Sequence, residues 1–396
     1  MVFTKKKKAK ILIVLSSILQ FQGFIGPVLF VFYTAYMGLT TAQYLFVDSL
    51  LFFIMAVCEI PSGMIADRFG RKRVLVVAKI AICIGMIILL TMKSLEGAIL
   101  VSIIYGIFGA LESGITDSIF YELFERENSL EEYEFLTAKT GGIGFIISIL
   151  YGVIAGYVTD KNLVLPVILD LMISVAMLIC ILIFLEDNGE YQAKDKLFLP
   201  TKKQLGNVLP ILLVFAMISS CSRIMYSFYQ PVLIEEQFPI IFLGYASGIY
   251  SITASCSSFL YEKIRTKLDE KGMYCLILIV QLIATFGFAF SGGYVVIIFI
   301  LIQQLQRGFT GTFLYMQANQ YISSKDGNRV TIMSILFCSI NLITAGSLFL
   351  TSYVTKYYGL DISIVSYVFV ANFLFLAFLG IFAYKKYKKQ IEVMVE

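Results

Sequence analysis

Gly63-Met64-Ile65-Ala66-Asp67-Arg68-Phe69-Gly70-Arg71-Lys72-Arg73 is a glycine-bounded cluster of charge between two long apolar runs, Ala42 to Ile65 and Val74 to Met92. That layout reads as a hairpin of two membrane helices joined by a short cationic turn. Gly63 and Gly70 permit a sharp turn and close helix approach, because glycine has no Cβ to clash. Arg71, Lys72 and Arg73 hold the turn in the cytoplasm, where positive loops are retained. Asp67 is an acid among bases, and a plain topological anchor has no need of it.

Working outward, the rest of the chain has the composition such a hairpin requires. Of its 396 residues, 59% are hydrophobic and 15% charged, and its mean hydropathy is +0.85. Soluble domains carry about 25% charged residues, so this is an all-α polytopic membrane protein. A spanning helix takes roughly 20 apolar residues, and the length accommodates about twelve spans with short loops. The first apolar run simply begins the bundle, with no cleavable secretion signal expected. There is no histidine, so proton traffic must use carboxylates, and histidine-based catalysis or metal binding is excluded. The seven cysteines, Cys58, Cys83, Cys180, Cys221, Cys256, Cys275 and Cys338, lie in or beside apolar runs without metal spacing. An odd number so placed reads as small packing residues rather than a disulfide framework.

Spans are expected near 11–35, 42–66, 74–93, 97–121, 137–159, 163–185, 207–232, 240–262, 273–290, 293–321, 331–355 and 362–384. Lysines 5 to 8 and Lys10 precede the first, and Lys385, Lys386, Lys388 and Lys389 follow the last. The expected cytoplasmic loops are rich in Lys and Arg, whereas the outer loops hold only Lys93, Lys161 and Lys356. Both termini therefore read as cytoplasmic. The polar interval Glu186 to Gln204 divides the chain into an amino-terminal bundle, 1–186, a linker, 187–206, and a carboxyl-terminal bundle, 207–396. Three short matches at nearly one offset make the two halves read as diverged copies. Gly106-Ile107-Phe108-Gly109 recurs as Gly308-Phe309-Thr310-Gly311, Asp67-Arg68-Phe69-Gly70 aligns with Asp269-Glu270-Lys271-Gly272, and Pro27-Val28-Leu29 recurs as Pro231-Val232-Leu233. Parallel halves of this kind are a known transporter plan. Gly144, Ser148, Gly152 and Gly156 form one small-residue stripe, and Gly244, Gly248, Ser251 and Ser255 another. Such stripes let helices approach closely, which is ordinary packing and also suits a seam that slides or rocks.

Ionisable residues inside a bilayer are costly and are usually paired or functional. Asp48, Glu59, Glu112, Asp117 and Asp170 fall in amino-half spans, and Arg223 and Arg307 in carboxyl-half spans. Acids in one half and bases in the other suggest a central cavity with a potential gradient. Asp117 and Glu112 are the proton-carrying candidates, though each also fits a structural ion pair. They sit about 140° apart around their helix, so both need not face one cavity. Asp48 and Asp170 lie nearer the outer surface and are expected to reach solvent. Glu59, beside Pro61, fits a structural role. Arg223, near Tyr226 and Tyr229, and Arg307, beside Gln303, Gln304 and Gln306, are placed to hold an anionic group or to pair with the acids. Gln20, Gln22 and Gly26-Pro27 put amides and a proline kink among aromatic rings in the first span, which suits an amphipathic ligand. The substrate-contact set is Gln22, Arg223, Tyr226, Gln304 and Arg307.

The pattern G-x-x-x-D-R-x-G-R-[KR], complete at Gly63 to Lys72, resembles the signature loop between helices 2 and 3 of the major facilitator superfamily. The resemblance implies two pseudo-symmetric six-helix bundles, with helices 5 and 8 together at the interface. It also implies a cytoplasmic latch made by Gly63, Asp67, Arg68, Gly70 and Arg71, with Asp67 closing against the start of helix 11. Arg329 is the expected partner there. Glu59-Ile60-Pro61-Ser62-Gly63 looks like drug-exporter-like bacterial members. The span-4 arginine of drug exporters corresponds to Ala110, however, and Gly141 to Gly156 lacks their glycine-proline pair.

The reading is a secondary transporter of the cell membrane, moving a small amphipathic compound by proton-coupled efflux. The open alternatives are proton-coupled uptake of a nutrient or peptide, or lipid flipping in the same fold. No cofactor, metal or nucleic acid is expected, and the chain reads as a monomer whose partners are its cargo, protons and the lipid bilayer. A membrane-embedded enzyme or nucleotide-driven pump lacks support, because no metal cluster or phosphate-binding glycine loop is present.

Overall fold

The computed structural model describes residues 5–20, 22–126, 128–185, 202–321, 329–359, 370 and 374. The described residues form helices and no strands. They run as α1 (Lys5–Ile18), α3 (Thr41–Phe69), α4 (Arg71–Thr91), α5 (Leu95–Arg126), α6 (Leu130–Lys161) and α7 (Leu165–Phe184). Between α1 and α3 lies Gly26–Tyr36, labelled α2, with one turn each of 3-10 and α-helix and then a π-helical turn at Phe32–Tyr36. After α7 come α8 (Lys202–Glu235), α9 (Ile240–Arg265), α10 (Glu270–Phe290), α11 (Val296–Tyr321) and α12 (Arg329–Tyr358). Eight of these helices are long and apolar enough to cross a membrane. The expected span 362–384 lies outside the described residues, save for positions 370 and 374.

Two compact units divide the described residues. The first lies within Met1–Asp195 and Phe238–Ile252, the second within Lys196–Gln237 and Thr253–Glu396. Within the first, α4 and α7 show how the sequence sorts its faces. Val77, Ile80, Ile84 and Ile87 are exposed on α4, while Leu75, Ala78, Lys79, Ile82, Met86 and Leu89 are buried. On α7, Ile168, Met172, Val175, Ile179 and Leu182 are exposed, and Val167, Asp170, Ser174, Met177 and Ile181 are buried. Apolar residues on both faces are what a helix between lipid and protein needs, and the 3.6-residue period then decides which face turns inward. The two inward stripes meet α1 and α5 in one core that includes Leu12, Leu75, Phe124 and Ile181. In the second unit, Met217, Cys221, Ile277, Phe313, Leu336 and Ile340 join α8, α10, α11 and α12.

Most helices overrun their apolar spans, chiefly at ends expected to be cytoplasmic. α3 reaches Phe69, α5 reaches Arg126 and α6 begins at Leu130. Hydropathy marks the bilayer core, whereas a backbone helix satisfies itself equally well in water. The overrun changes the signature turn. Gly63 is not in a turn but inside α3, which also contains Pro61. The whole reversal is made by Gly70, at φ 89° and ψ 123°, and α4 begins at the next residue. Lys72 then donates to the Leu182 carbonyl, 3.4 Å away at the carboxyl end of α7, where a cation complements the helix dipole. The aligned Asp269 does a different job: it caps α10 by accepting from the Gly272 amide at 2.8 Å, so that sequence match is not a matched turn.

The small-residue stripes meet within the first unit. A Cβ at Gly152 would stand 2.6 Å from the Gly244 carbonyl oxygen, and one at Gly156 would strike the Ile241 carbonyl.

The amino-terminal helix is tied down by charge. Lys6 bonds Glu132 at 2.8 Å, Lys10 bonds the same carboxylate, and Lys6 also lies 5.6 Å from the Phe124 ring centre. Hydrogen bonds from Lys10 and Lys6 hold Glu132 below the usual glutamate range. A lowered carboxylate stabilises above its unfolded value and loses that contribution as pH falls through its folded value. Amide hydrogen exchange in α1, corrected for its intrinsic pH dependence, is therefore expected to speed up on acidification, and Glu132→Gln should show the faster exchange already at neutral pH. Unchanged α1 exchange in that variant would show that the tether does not hold the helix.

Candidate functional site

The first span is not a kinked helix. It breaks completely, upstream of Pro27, where the sequence suggested only a bend. α1 ends at Ile18, helical structure resumes at Gly26, and Gln22 sits between them at φ 55°. A break in the membrane frees backbone groups that must find partners. The Tyr151 hydroxyl donates to the Ile18 carbonyl. Gln20 donates to the carbonyls of Ser17, at 2.9 Å, and Gly144, at 2.8 Å, and accepts from Ser148 at 2.8 Å. On the other side of the break, the amides of Phe24 and Ile25 donate to the two carboxylate oxygens of Asp170, at 3.0 and 2.8 Å. Gly23 packs against the Tyr151 ring so closely that a Cβ would collide with it.

Asp170 thus corrects an expectation. It does not reach solvent but is fully buried, at 0% exposure. A second correction concerns Lys79, which the sequence reading passed over. It lies on the inward stripe of α4, its side chain 6% exposed, in an ion pair with Glu112 of α5, whose side chain is 27% exposed. The acids of the amino half are therefore not opposed only by bases in the other half. Glu112 has a local counter-charge.

In the second unit the expected contact residues sit on α8 and α11, which pack together. Arg223 donates to Asn341 of α12 at 2.9 Å. Tyr226 is partly exposed and lies 5.2 Å, centre to centre, from the ring of Tyr229, which is fully buried and accepts from Gln230 at 3.1 Å. Gln304 is buried and donates to Gln303 at 2.9 Å, while Arg307 reaches the Gln304 carbonyl oxygen at 3.5 Å. No carboxylate bonds Arg307 among the described residues. The Nε2 of Gln303, both amide atoms of Gln306 and the hydroxyl of Thr310 are buried without a described protein partner. At spacings of three and four these three residues form one stripe of α11, and buried amides left open in this way are rare. Gln22 belongs to the first unit, in the break of its first span.

For Asp67, Asp117 and Arg329 the structure describes the backbone alone. Asp67 and Arg68 lie in the last turn of α3, Asp117 lies in α5, and Arg329 opens α12. The exposed Arg68 guanidinium lies 5.7 Å from the Phe69 ring centre. Arg71 opens α4 directly after Gly70. Asn328, beside the expected latch partner, is outside the described residues.

The family model described as Major Facilitator Superfamily matches residues 11–345. An uncharacterized transporter of Buchnera aphidicola subsp. Schizaphis graminum is 29% identical over 106 residues, 27% of this chain and 25% of that protein. The match thus spans about a quarter of that relative. Among solved structures, the nucleoside transporter NupG aligns over 97% of this chain and 100% of its own, with TM-score 0.71 and 15% identity. A bacterial homologue of the iron transporter ferroportin, in its inward-facing state, aligns over 96% and 98%, with TM-score 0.68 and 15% identity. The inward-open xylose transporter XylE of E. coli aligns over 94% and 95%, with TM-score 0.65 and 14% identity. At such identities the likeness is one of fold alone.

Proposed function

The chain belongs to the major facilitator superfamily, and from that premise we propose that it exports a small amphipathic compound by alternating access, driven by protons. The observation that carries the transport reading is the family match along residues 11–345. In this reading the bundles 1–186 and 207–396, joined by the linker 187–206, rock about a central cargo site in the cell membrane, both termini cytoplasmic and the chain a monomer. Tyr226 and Tyr229 offer apolar faces, while Gln22, Arg223, Gln304 and Arg307 offer polar ones, a mixture that suits amphipathic cargo. Asp117 carries the proton. Glu112, paired with Lys79, exchanges partners during the cycle. Gly63, Asp67, Arg68, Gly70, Arg71 and Arg329 form the cytoplasmic gate, in which the acid of α3 meets the start of α12.

A second reading is favoured by one observation. Among the described residues Arg307 bonds the neutral Gln304 and no carboxylate, which leaves its charge available for an anionic nutrient or peptide brought in by symport.

The test is transport in sealed vesicles under an imposed pH gradient, with ethidium as amphipathic probe and trialanine, which carries a free carboxylate, as peptide probe. Wild type is expected to move ethidium against the proton flow. Asp117→Asn should keep gradient-independent ethidium exchange and lose the gradient-driven part. Undiminished gradient-driven movement in the variant removes Asp117 as carrier. Trialanine moving with the protons, and ethidium not moving, replaces export by symport.

A further inference from the structure

Asp170 is the feature that the transport reading leaves unused. It is a carboxylate with no solvent exposure, and no Lys or Arg bonds to it among the described residues. Both of its oxygens are spent on backbone amides of the turn that leads into α2, 146 and 145 residues distant in sequence. An apolar span gains nothing from carrying such a group unless the group holds something in place. What it holds is the start of α2, where the freed amides of a broken helix carry the positive end of the peptide dipoles. Discontinuous membrane helices are where transporters place their moving parts and their ion sites.

We propose that Asp170 is a proton-released latch on the first span, fastening α2 to α7 while ionised and freeing it once protonated. The chemistry follows from donors and acceptors. The carboxylate accepts at both oxygens. Taking one proton from water turns one oxygen into a hydroxyl, itself a donor and a much weaker acceptor for the amide facing it. One charge-assisted bond is lost and the other becomes an ordinary neutral one. The α1 side of the break keeps its own contacts with α6, through Tyr151 and Gln20.

The ionisable groups on the surrounding helices agree with this assignment. Tyr151 of α6 and Tyr105 of α5 feel the Asp170 charge, and Tyr33 of α2 and Cys83 of α4 lie within electrostatic reach of Tyr105. Asp48 of α3 acts on Tyr33 in turn. Lys79 on the inward stripe of α4 is engaged with Glu112. Asp170 thus has the hydroxyls of Tyr151 and Tyr105 within electrostatic reach and, among the described residues, no ion pair.

The inference deepens the proton-coupled reading, but its test needs no cargo. Amide hydrogen exchange of the peptide covering residues 22–28 is followed in the purified full chain, each rate corrected for its intrinsic pH dependence. Between about pH 8 and about pH 5 wild type is expected to show a step of about tenfold or more in corrected exchange, the size set by one charge-assisted bond. An infrared band of a protonated carboxyl should grow in over the same interval. In Asp170→Asn, where one oxygen becomes an NH2 donor, exchange should be fast throughout and the infrared band smaller by one carboxyl. Should that variant fail to fold, the wild-type series still decides. Flat corrected exchange, or a step without the carboxyl band, overturns the latch. So does an Asp170→Asn chain that keeps the step. Loss of pH-driven transport in Asp117→Asn beside an intact step would separate the two carboxylates, with both readings standing. Ungated transport beside an intact step would overturn the coupling alone.

Discussion

Replacing Glu112 with leucine is expected to destabilise the fold by about 3–5 kcal/mol, the usual cost of stranding one member of a buried ion pair. The geometry makes the cost unequal between the partners. Glu112→Leu leaves the ammonium of Lys79, whose side chain is 6% exposed, without its counter-charge inside the α4–α5 packing. Lys79→Met leaves a carboxylate that is 27% exposed, so its cost should fall at or below the lower end of that range. The double variant Lys79→Met/Glu112→Leu removes both charges together. Because an apolar pair of similar volume often matches or exceeds a buried ion pair, it should recover most of the loss. Midpoints of reversible unfolding in mixed detergent micelles, compared across the three variants and wild type, measure these differences. If the double variant is as unstable as Glu112→Leu, stranded charge is not the cause. The cavity left by the longer side chains is the remaining one.

The second large effect is expected at the glycine seam. Alanine at Gly244 would place a Cβ against the Gly152 carbonyl oxygen, and 2.8 Å from the Gly156 nitrogen. Both neighbours are backbone, so no side-chain rotation relieves the clash and the two helices must part. Overpacking of this kind costs about 1–3 kcal/mol, and the loss of close helix contact adds to it. Gly109→Ala and Gly346→Ala are the controls, since a Cβ at either position meets nothing within 4 Å. Each should be neutral or stabilising by roughly 0.5–1 kcal/mol through helix propensity. Thermal midpoints of the three variants decide the point. A Gly244→Ala chain as stable as its controls would mean that α6 and the early part of α9 are not in tight contact.

Much of this architecture was legible in the sequence, because a bilayer imposes simple rules. Long apolar runs had to be helices, and the spacing of Gly144 to Gly156 and Gly244 to Gly248 announced a close approach. The signature at Gly63 to Lys72 identified the plan, while its details moved: the reversal takes one residue, Gly70, and Gly63 is in the helix. Lys79 was legible and missed. It shares the inward stripe of Leu75, Ile82, Met86 and Leu89, and a lysine in that register needs a partner. Asp170 was half legible, because the stripe Val167, Asp170, Ser174, Met177 places it inward. Its partner was not. The acceptors of Asp170 bond to amides, and amides carry no residue identity, so no pattern links position 170 to positions 24 and 25. Glycines, glutamines and Pro27 hinted at irregularity in the first span, but whether a helix bends or breaks depends on what neighbouring helices supply to its freed backbone.

The central claim, two halves of one chain that exchange access to a shared cargo site under proton control, is tested most directly by pulsed electron resonance. Spin labels at Lys93, in the exposed link between α4 and α5, and at Tyr294, exposed just before α11, belong to different units. In a cysteine-free chain in lipid nanodiscs, the account predicts two distance populations whose ratio shifts with pH, a shift that Asp117→Asn abolishes. A single narrow distance, unchanged at every pH, would contradict it.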